Sequence, residues 1–379
     1  MPAPTRPLVR ALVFLLLVAA AYVALRSKRD MDDVLVYRTA GLRAMDAAPL
    51  YRPDDGHYQF KYLPAFALAM APVALVPEEV MKPIWFAASA WLALIFITRA
   101  AGGVPAPLRP FRTVFWLTAL VTAKFWVLEL IHGQTNVLLG VVLLAALRAA
   151  RNGRPLAAGA LAGAAVFVKP YALITIPWLV VAAGPSSVVS AGAVIAAGLL
   201  LPAATYGWHG NLAELHGWLS TVTETTAPNL LVAENISFAT MWAKWLGPGD
   251  TATHLALATS VVAALAAATV IAVRRRVPSD PAYLEFALLM VLVPLVSPQG
   301  WDYVLLVAAP AYACALDRWP AQPALWRAAT LAAIALTSFA IFDLWGRTLY
   351  MLIVHSAAVS LGAMLLATIL IGLRARRLA

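Results

Sequence analysis

The sequence is poor in cysteine and in charge. Its single cysteine, Cys314, lies in an apolar run, so the chain can form neither an internal disulfide nor a cysteine metal cluster. Only 12% of the 379 residues are charged, whereas a soluble domain carries about a quarter. The six histidines are scattered, without the close spacing of zinc ligands. We therefore expect neither a metal nor a cofactor.

Hydrophobic residues, by contrast, make up 62% of the chain. Long runs at 11–25, 113–131, 187–204 and 251–273 are nearly free of charge. One soluble core cannot bury so many apolar runs, but a chain of this kind can span a bilayer repeatedly. The composition predicts an all-α, polytopic transmembrane helical bundle, forming a single integral membrane domain over residues 1–379.

The basic residues are concentrated between the apolar runs. Six segments hold 16 of the 28 basic residues and only two acids, Asp280 and Asp317. Their basic residues are Arg6 and Arg10; Arg99, Arg109 and Arg112; Arg148, Arg151 and Arg154; Arg274, Arg275 and Arg276; Arg318 and Arg327; Arg374, Arg376 and Arg377. The positive-inside rule places all six segments in the cytoplasm, so the net charge of +10 reflects topology and not nucleic-acid binding.

This arrangement requires an even number of crossings between successive basic segments, and about 12 spans satisfy it. They lie near residues 9–26, 80–98, 113–131, 135–149, 155–168, 171–184, 186–205, 251–273, 281–297, 302–316, 324–342 and 348–373. The first is expected to be a retained anchor. Two extracytoplasmic loops follow at 26–61 and 206–250. Residues 62–77 are apolar but short and contain three prolines, which predicts an interfacial or re-entrant helix.

Two acids, Asp32 and Asp33, follow the first span and begin a segment with helical spacing. Either of them can cap this helix, since aspartate is a favoured N-cap residue. Alternatively, one is a general base held at the membrane surface. The sequence alone favours the cap.

Other polar residues interrupt the apolar spans near the same predicted side. His132, Gln134 and Asn136 stand between the third and fourth spans, where they either join helices or bind sugar hydroxyls. Lys169 precedes a proline within an apolar segment, so its ammonium either reaches the headgroups or binds a lipid phosphate. Asp302 either caps the tenth span or belongs to the site.

Several short stretches, taken in chain order, resemble a known family. They are DVLVY at 33–37 with Gly41, PLY at 49–51, FKYLP at 60–64, GQTN at 133–136, Lys169 with Pro170, NIS at 235–237 and SPQGW at 297–301. The set resembles the polyprenol-phosphate-mannose-dependent mannosyltransferases of glycosyltransferase family 87, within the GT-C class. Some relatives carry a histidine near the last turn, where this chain has Gln299 and Asp302.

The Arg- and Ala-rich composition suggests a bacterium, and the charge rule places the candidate residues outside, so we expect the bacterial inner membrane with the site facing the periplasm or cell exterior. The resemblance implies a hexosyltransferase. It would transfer a sugar, mannose above all, from a polyprenyl phosphate to a glycolipid or glycan, with inversion. Asp33 takes the role of catalytic base. The donor- and acceptor-binding residues are Tyr37, Arg38, Tyr62, His132, Gln134, Asn136, Lys169, Asn235, Gln299, Trp301 and Asp302. A flippase or transporter of lipid-linked sugars, a non-catalytic scaffold and a polymerase using lipid diphosphates remain alternatives.

Overall fold

The structure, a computed structural model, describes residues 31–273 and 281–375. Within those ranges the chain is helical, and the β-type pairing consists of one isolated antiparallel bridge between Asn235 and Trp301. The all-α prediction is therefore confirmed for the described residues. The predicted first span at 9–26 lies outside them.

The helices follow one another closely along the chain. The first seven are α1 (Asp32–Met45), α2 (Pro64–Ala69), α3 (Ala71–Ala74), α4 (Glu78–Gly103), α5 (Phe111–Val121), α6 (Ala123–His132) and α7 (Asn136–Arg151). The next six are α8 (Pro155–Val168), α9 (Thr175–Ala183), α10 (Pro185–Leu200), α11 (Ala203–Glu224), α12 (Phe238–Leu246) and α13 (Asp250–Ala272). The last five are α14 (Ala282–Val296), α15 (Ala309–Arg318), α16 (Ala324–Ser338), α17 (Phe342–His355) and α18 (Ala358–Ala375). Short 3₁₀ helices lie at Pro53–Tyr58, Pro170–Ile174, Asp302–Ala308 and Trp319–Ala321.

Three of these helices are long and apolar enough to cross a membrane, namely α4, α13 and α18. Three bent pairs pass the same test together: α5 with α6 at 57°, α10 with α11 at 90°, and α16 with α17 at 96°. The described residues thus supply three crossings, or up to six if each bent pair is one span. Along α13 the leucines and valines are largely exposed, as expected for a helix in lipid. The count of about 12 spans stays a prediction.

The predicted spans at 113–131 and 324–342 are each interrupted by a bend, and the span at 348–373 also differs from the structure. Residues 348–373 do not form a continuous helix, because α17 ends at His355 and α18 begins at Ala358. Ala357 between them has a left-handed backbone, with φ of 58°, which no regular α-helix accommodates. The segment at 62–77 forms the two short helices α2 and α3, in agreement with its prolines.

A small hydrophobic cluster attaches α1 to α2, α3 and α4, apart from the main core. It contains Val34, Tyr37 and Ala44 from one face of α1, with Phe60 and Phe66 from the segments that follow. Gly41 permits the close approach, because a Cβ there would lie 2.7 Å from the carbonyl oxygen of Met70. The residues at the start of α1 are thereby fixed in place.

The predicted topology can be tested by labelling single cysteines in a Cys314→Ala background. Asp54→Cys and Glu224→Cys should react with an impermeant thiol reagent in intact cells, whereas Asn152→Cys should react only after lysis. All three positions are exposed, so accessibility within the fold does not distinguish them. Reaction of Asn152→Cys in sealed cells would contradict the positive-inside assignment.

Candidate active site

The candidate site forms where the start of α1 meets the turn between α6 and α7. The Met31 N–H donates to the carbonyl oxygen of Ile131 at 2.8 Å. Gly133 in the turn has φ of 68°, and a Cβ there would lie 3.3 Å from the Cβ atoms of Met31 and Val34. Glycine suits this turn on both counts. The contact brings Asp33 next to Gln134.

Neither acid at the start of α1 caps the helix through its side chain. Met31 occupies the N-cap position, while Asp32 and Asp33 lie in the first turn, where negative charge is favourable. Asp32 is exposed, accepts from the Tyr58 hydroxyl at 3.3 Å and lines a cleft of about 290 Å³. Asp33 is half-buried and faces the opposite way, into the polar cluster.

Gln134 bridges the carboxylate and the ammonium of this cluster. Its Nε2 donates to Asp33 Oδ2 at 2.6 Å, and its Oε1 accepts from Lys169 Nζ at 2.9 Å. The orientation of the amide follows from chemistry, since a carboxylate can only accept and an ammonium can only donate. Gln134 is itself buried. One amide therefore fixes the acid and the cation relative to each other, although they lie far apart in the sequence.

Lys169 is presented by a break in the helical backbone. Helix α8 ends at Val168, Lys169 is extended, and Pro170 begins a 3₁₀ helix. The ammonium lies 5.6 Å from the centre of the Tyr62 ring and 6.0 Å from that of Tyr171, within the range of cation–π attraction. It is directed into the site.

Two tyrosines, Tyr37 and Tyr62, place their hydroxyls next to the Gln134 amide. Tyr37 is fully buried, and its hydroxyl lies 2.7 Å from that of Tyr62. Their hydroxyls also lie 3.4 Å and 3.5 Å from Gln134 Oε1. Of these two predicted binding residues, Tyr62 is half-buried beside Lys169, whereas Tyr37 is fully buried and contacts Gln134.

Glu129 is a part of the site that the sequence analysis missed. This buried carboxylate accepts from Asn136 Nδ2 and from the Val137 N–H, both at 2.8 Å, so it caps α7 from the preceding helix. The Asn136 Oδ1 accepts in turn from the Tyr171 hydroxyl at 2.7 Å. An acid inside an apolar run is a functional candidate by default, and that signal was present in the sequence.

His132, at the end of α6, has an unsatisfied ring nitrogen. Its Nδ1 is buried and has no hydrogen-bond partner among the described residues. The ring lies 5.7 Å from that of Tyr303, and Trp301 stacks on Tyr303 at 6.4 Å with an interplanar angle of 3°. The Tyr303 hydroxyl accepts from Gln134 Nε2 at 3.3 Å. Trp301 therefore borders the cluster through Tyr303, which the sequence analysis also missed.

The amides of Asn235 and Gln299 join the two segments that carry them. Asn235 Nδ2 donates to the carbonyl oxygens of Asn229 and Pro298, both at 3.0 Å. Gln299 Nε2 donates to the hydroxyls of Thr225 and Thr226 at 3.1 and 3.2 Å. Both amides hold the segment after α11 against the turn after α14. The structure does not bring either into contact with Asp33.

Two further predicted residues lie at the edge of the site. Asp302 is buried and pairs with Lys124 at 2.5 Å, while its Oδ1 has no partner among the described residues. Its side chain does not cap the 3₁₀ helix that it begins. Arg38 is half-buried and donates from Nε to the carbonyl oxygen of Val76 at 3.3 Å. Neither touches Gln134.

The surroundings make Asp33 a stronger base than an exposed aspartate. Burial raises the pKa of Asp33, and the Lys169 charge and the Gln134 hydrogen bond only partly offset that effect. A carboxylate with a raised pKa accepts a proton more readily and remains ionised when the pH exceeds that value. The cluster therefore holds a carboxylate with a raised pKa and a nearby cation on either side of one amide.

Helices of this length and composition, together with such a cluster, define a membrane protein with a polar site at one end of its helices. The sequence model of glycosyltransferase family 87 matches residues 60–298, which is more than half of the chain. The chain therefore belongs to glycosyltransferase family 87 and is a membrane glycosyltransferase. The match includes Gln134 and Lys169, whereas Asp33 precedes it. A comparison with curated proteins finds no match.

Proposed function

We propose that this glycosyltransferase is a hexosyltransferase that uses a polyprenyl-phosphate sugar and transfers the hexose to a glycolipid or glycan acceptor. The observation that carries the proposal is the bridge from Asp33 through Gln134 to Lys169. It holds one basic carboxylate beside one cation, which is what transfer from a sugar phosphate requires. The resemblance to mannosyltransferases supports mannose as the transferred hexose.

Asp33 acts as the general base. The acceptor hydroxyl gives its proton to the Asp33 carboxylate while its oxygen attacks the anomeric carbon of the donor. The bond between that carbon and the phosphate oxygen breaks on the opposite face, so the configuration inverts. The electron pair of the broken bond stays on the phosphate. Atoms and charge balance without a metal or a cofactor.

The phosphate needs charge stabilisation and not a proton. Glycosidases require an acid because their leaving group is a poor one, but a lipid phosphate leaves as a stable anion. Its charge grows from about −1 to −2 as the bond breaks, and a fixed cation stabilises that change. Lys169 is proposed to contribute this stabilisation, and the unsatisfied nitrogen of His132 to bind a sugar hydroxyl.

The proposed setting is the inner membrane of a bacterium, with this site facing the periplasm or cell exterior. The charge distribution supports it, because the six basic segments would then all face the cytoplasm. Donor and acceptor would reach the site from the outer leaflet and from the aqueous side.

The experiment incubates purified protein in lipid with polyprenyl phosphate carrying radiolabelled mannose, plus extracted envelope glycolipids. We expect label to enter a glycolipid or glycan with inverted anomeric configuration. Asp33→Asn protein serves as the negative control, and labelled nucleotide sugar without polyprenyl phosphate tests the donor class. Transfer directly from the nucleotide sugar would contradict the proposal.

A further inference from the structure

The loop that follows α4 lies far from the candidate active site. Near its start α4 contributes Met81 to the hydrophobic cluster around α1, and it ends at Gly103. Its 26 residues span about 39 Å, close to the thickness of a bilayer with its headgroups. A membrane crossing by α4 therefore places this loop at the opposite surface from Asp33.

The loop after α4 is fixed to the end of α15. The Asp317 carboxylate accepts from the backbone N–H groups of Leu108 at 3.0 Å and Arg109 at 2.9 Å. The Arg318 guanidinium donates to two carbonyl oxygens of the same loop, at 2.6 and 2.9 Å. Asp317 and Arg318 are both buried, so these bonds hold the backbone of Arg109 in one position.

Two guanidinium groups lie against one indole ring in this region. The Arg109 Cζ lies 5.8 Å from the centre of the Trp319 ring, and the Arg327 Cζ lies 5.7 Å from it. The ring is held in place because Trp319 Nε1 donates to the Arg327 carbonyl oxygen at 3.1 Å. Cation–π attraction to the shared ring keeps the two cations close to each other, although like charges repel.

Neither of these guanidinium groups pairs with a carboxylate of the described residues. The Arg109 Nε is buried and has no hydrogen-bond partner among them, whereas Arg327 is exposed. Asp317 is already occupied by the loop backbone and by Arg318, 3.5 Å away. Three arginines therefore meet one aspartate. A buried donor without an acceptor costs free energy, so an anionic ligand that supplies the acceptor binds favourably.

Exposed leucines flank the two arginines. Leu108 precedes Arg109 and is 54% exposed, and Leu325 lies two residues before Arg327 and is 78% exposed. At a membrane surface such leucines contact acyl chains, while arginine side chains reach the lipid phosphates. A soluble anion would satisfy the guanidinium groups but leave the leucines in water. An anionic phospholipid satisfies both.

We propose that Arg109, Trp319 and Arg327 form a binding site for the phosphate headgroup of an anionic phospholipid, whose acyl chains contact Leu108 and Leu325. Arginine suits this role because its planar guanidinium can donate two parallel hydrogen bonds to phosphate oxygens. The bound lipid joins the loop after α4 to the start of α16, at the membrane surface away from sugar transfer. The inference is independent of the proposed function.

The test measures binding of phosphatidylglycerol to the full chain in a neutral detergent, by native mass spectrometry over a range of lipid concentrations. The double variant Arg109→Gln with Arg327→Gln should weaken the tightest binding by about 30-fold, since each basic residue near a membrane surface contributes about fivefold. Phosphatidylcholine has no net headgroup charge and should bind weakly to both proteins. Phosphatidylglycerol should also raise the melting temperature of the parent more than that of the variant, because a ligand stabilises the state that binds it.

A matched control removes two arginines from another basic segment on the same predicted side. Arg148→Gln with Arg154→Gln makes the same change in net charge at exposed positions, so the affinity for phosphatidylglycerol should stay close to that of the parent. Arg109→Lys with Arg327→Lys keeps both charges but loses the forked geometry of the guanidinium. That variant should retain part of the affinity.

Three results would overturn the inference. Equal affinity of the parent and the glutamine variant at 109 and 327 would leave the patch to an acidic segment of a partner protein. An equal loss in the control variant would show attraction to the overall surface charge and not to a site. Equally tight binding of phosphatidylcholine would show that acyl chains alone are recognised. None of these measurements requires sugar transfer, so they stand or fall separately from the proposed function.

Discussion

Asp33→Asn is expected to lower the rate of sugar transfer by about 10²–10⁴-fold, the range that general-base catalysis contributes. The change removes the ability to take the acceptor proton and little else. The amide oxygen that the substitution introduces can still accept from Gln134 Nε2, so the bridge to Lys169 remains. Protein level, melting temperature and donor binding should therefore stay close to those of the parent. The measurement is the transfer rate with labelled polyprenyl-phosphate-mannose at saturating donor.

Asp32→Asn is the matched control, because it changes the same charge one residue earlier. Asp32 points into the cleft beside Tyr58 and does not contact Gln134, so most activity should survive. Loss of activity in Asp32→Asn with retention in Asp33→Asn would move the base to Asp32 and to that cleft. Full activity in both variants would leave the enzyme without its proposed base. Transport of lipid-linked sugars by both would favour the flippase alternative.

Much of the local structure was predictable, because glycine and proline mark it in the sequence. Gly133 ends α6 with a positive φ, and Pro170 follows the break at Lys169. The polar residues at these two breaks were identified from their contrast with apolar neighbours, and the structure joins them in one hydrogen-bonded cluster. Composition alone was enough for the helical class.

The contacts within the cluster were not predictable. Asp33 and Gln134 are 101 residues apart, and their hydrogen bond depends on the packing of α1 against α2 and α3, where Gly41 meets the backbone of Met70. Periodicity reports which face of a helix is apolar but not which helix covers it. For the same reason the sequence favoured an N-cap for the acids of α1. In the structure the Asp33 carboxylate instead accepts a hydrogen bond from Gln134 of a distant segment.

The sharp bend between α16 and α17 was not predicted either, although Gly346 near the start of α17 has a positive φ of 65° and interrupts the helical backbone there. The three residues between these helices, 339–341, include neither proline nor glycine, yet the helices meet at 96°. Trp345 Nε1 donates to the Phe339 carbonyl oxygen across the bend and satisfies a backbone group that the break leaves free. Hydropathy alone merges this segment with its neighbours and does not report the bend.

Lys169→Met is expected to reduce transfer in a pH-dependent manner. The Lys169 charge partly offsets the burial that raises the pKa of Asp33, so its removal should raise that pKa further. A general base acts in its ionised form, and activity is lost as the pH falls through its pKa. The acidic limb of the pH–rate profile should therefore move to higher pH in Lys169→Met. The plateau at high pH should also fall by about 10- to 100-fold, because the variant loses a hydrogen bond to a charged group.

Lys169→Arg keeps the charge and should return the acidic limb towards its original position, even if the longer side chain lowers the plateau. Methionine retains most of the apolar stem of lysine, so packing against Tyr62 and Tyr171 is largely preserved. The measurement is the transfer rate across the pH range on both sides of the limb, at equal amounts of folded protein. A lysine that serves only to reach the lipid headgroups would leave both the limb and the plateau unchanged in Lys169→Met. A lower plateau with an unmoved limb would instead indicate that Lys169 does not affect the pKa of Asp33 and that its charge acts on the donor alone.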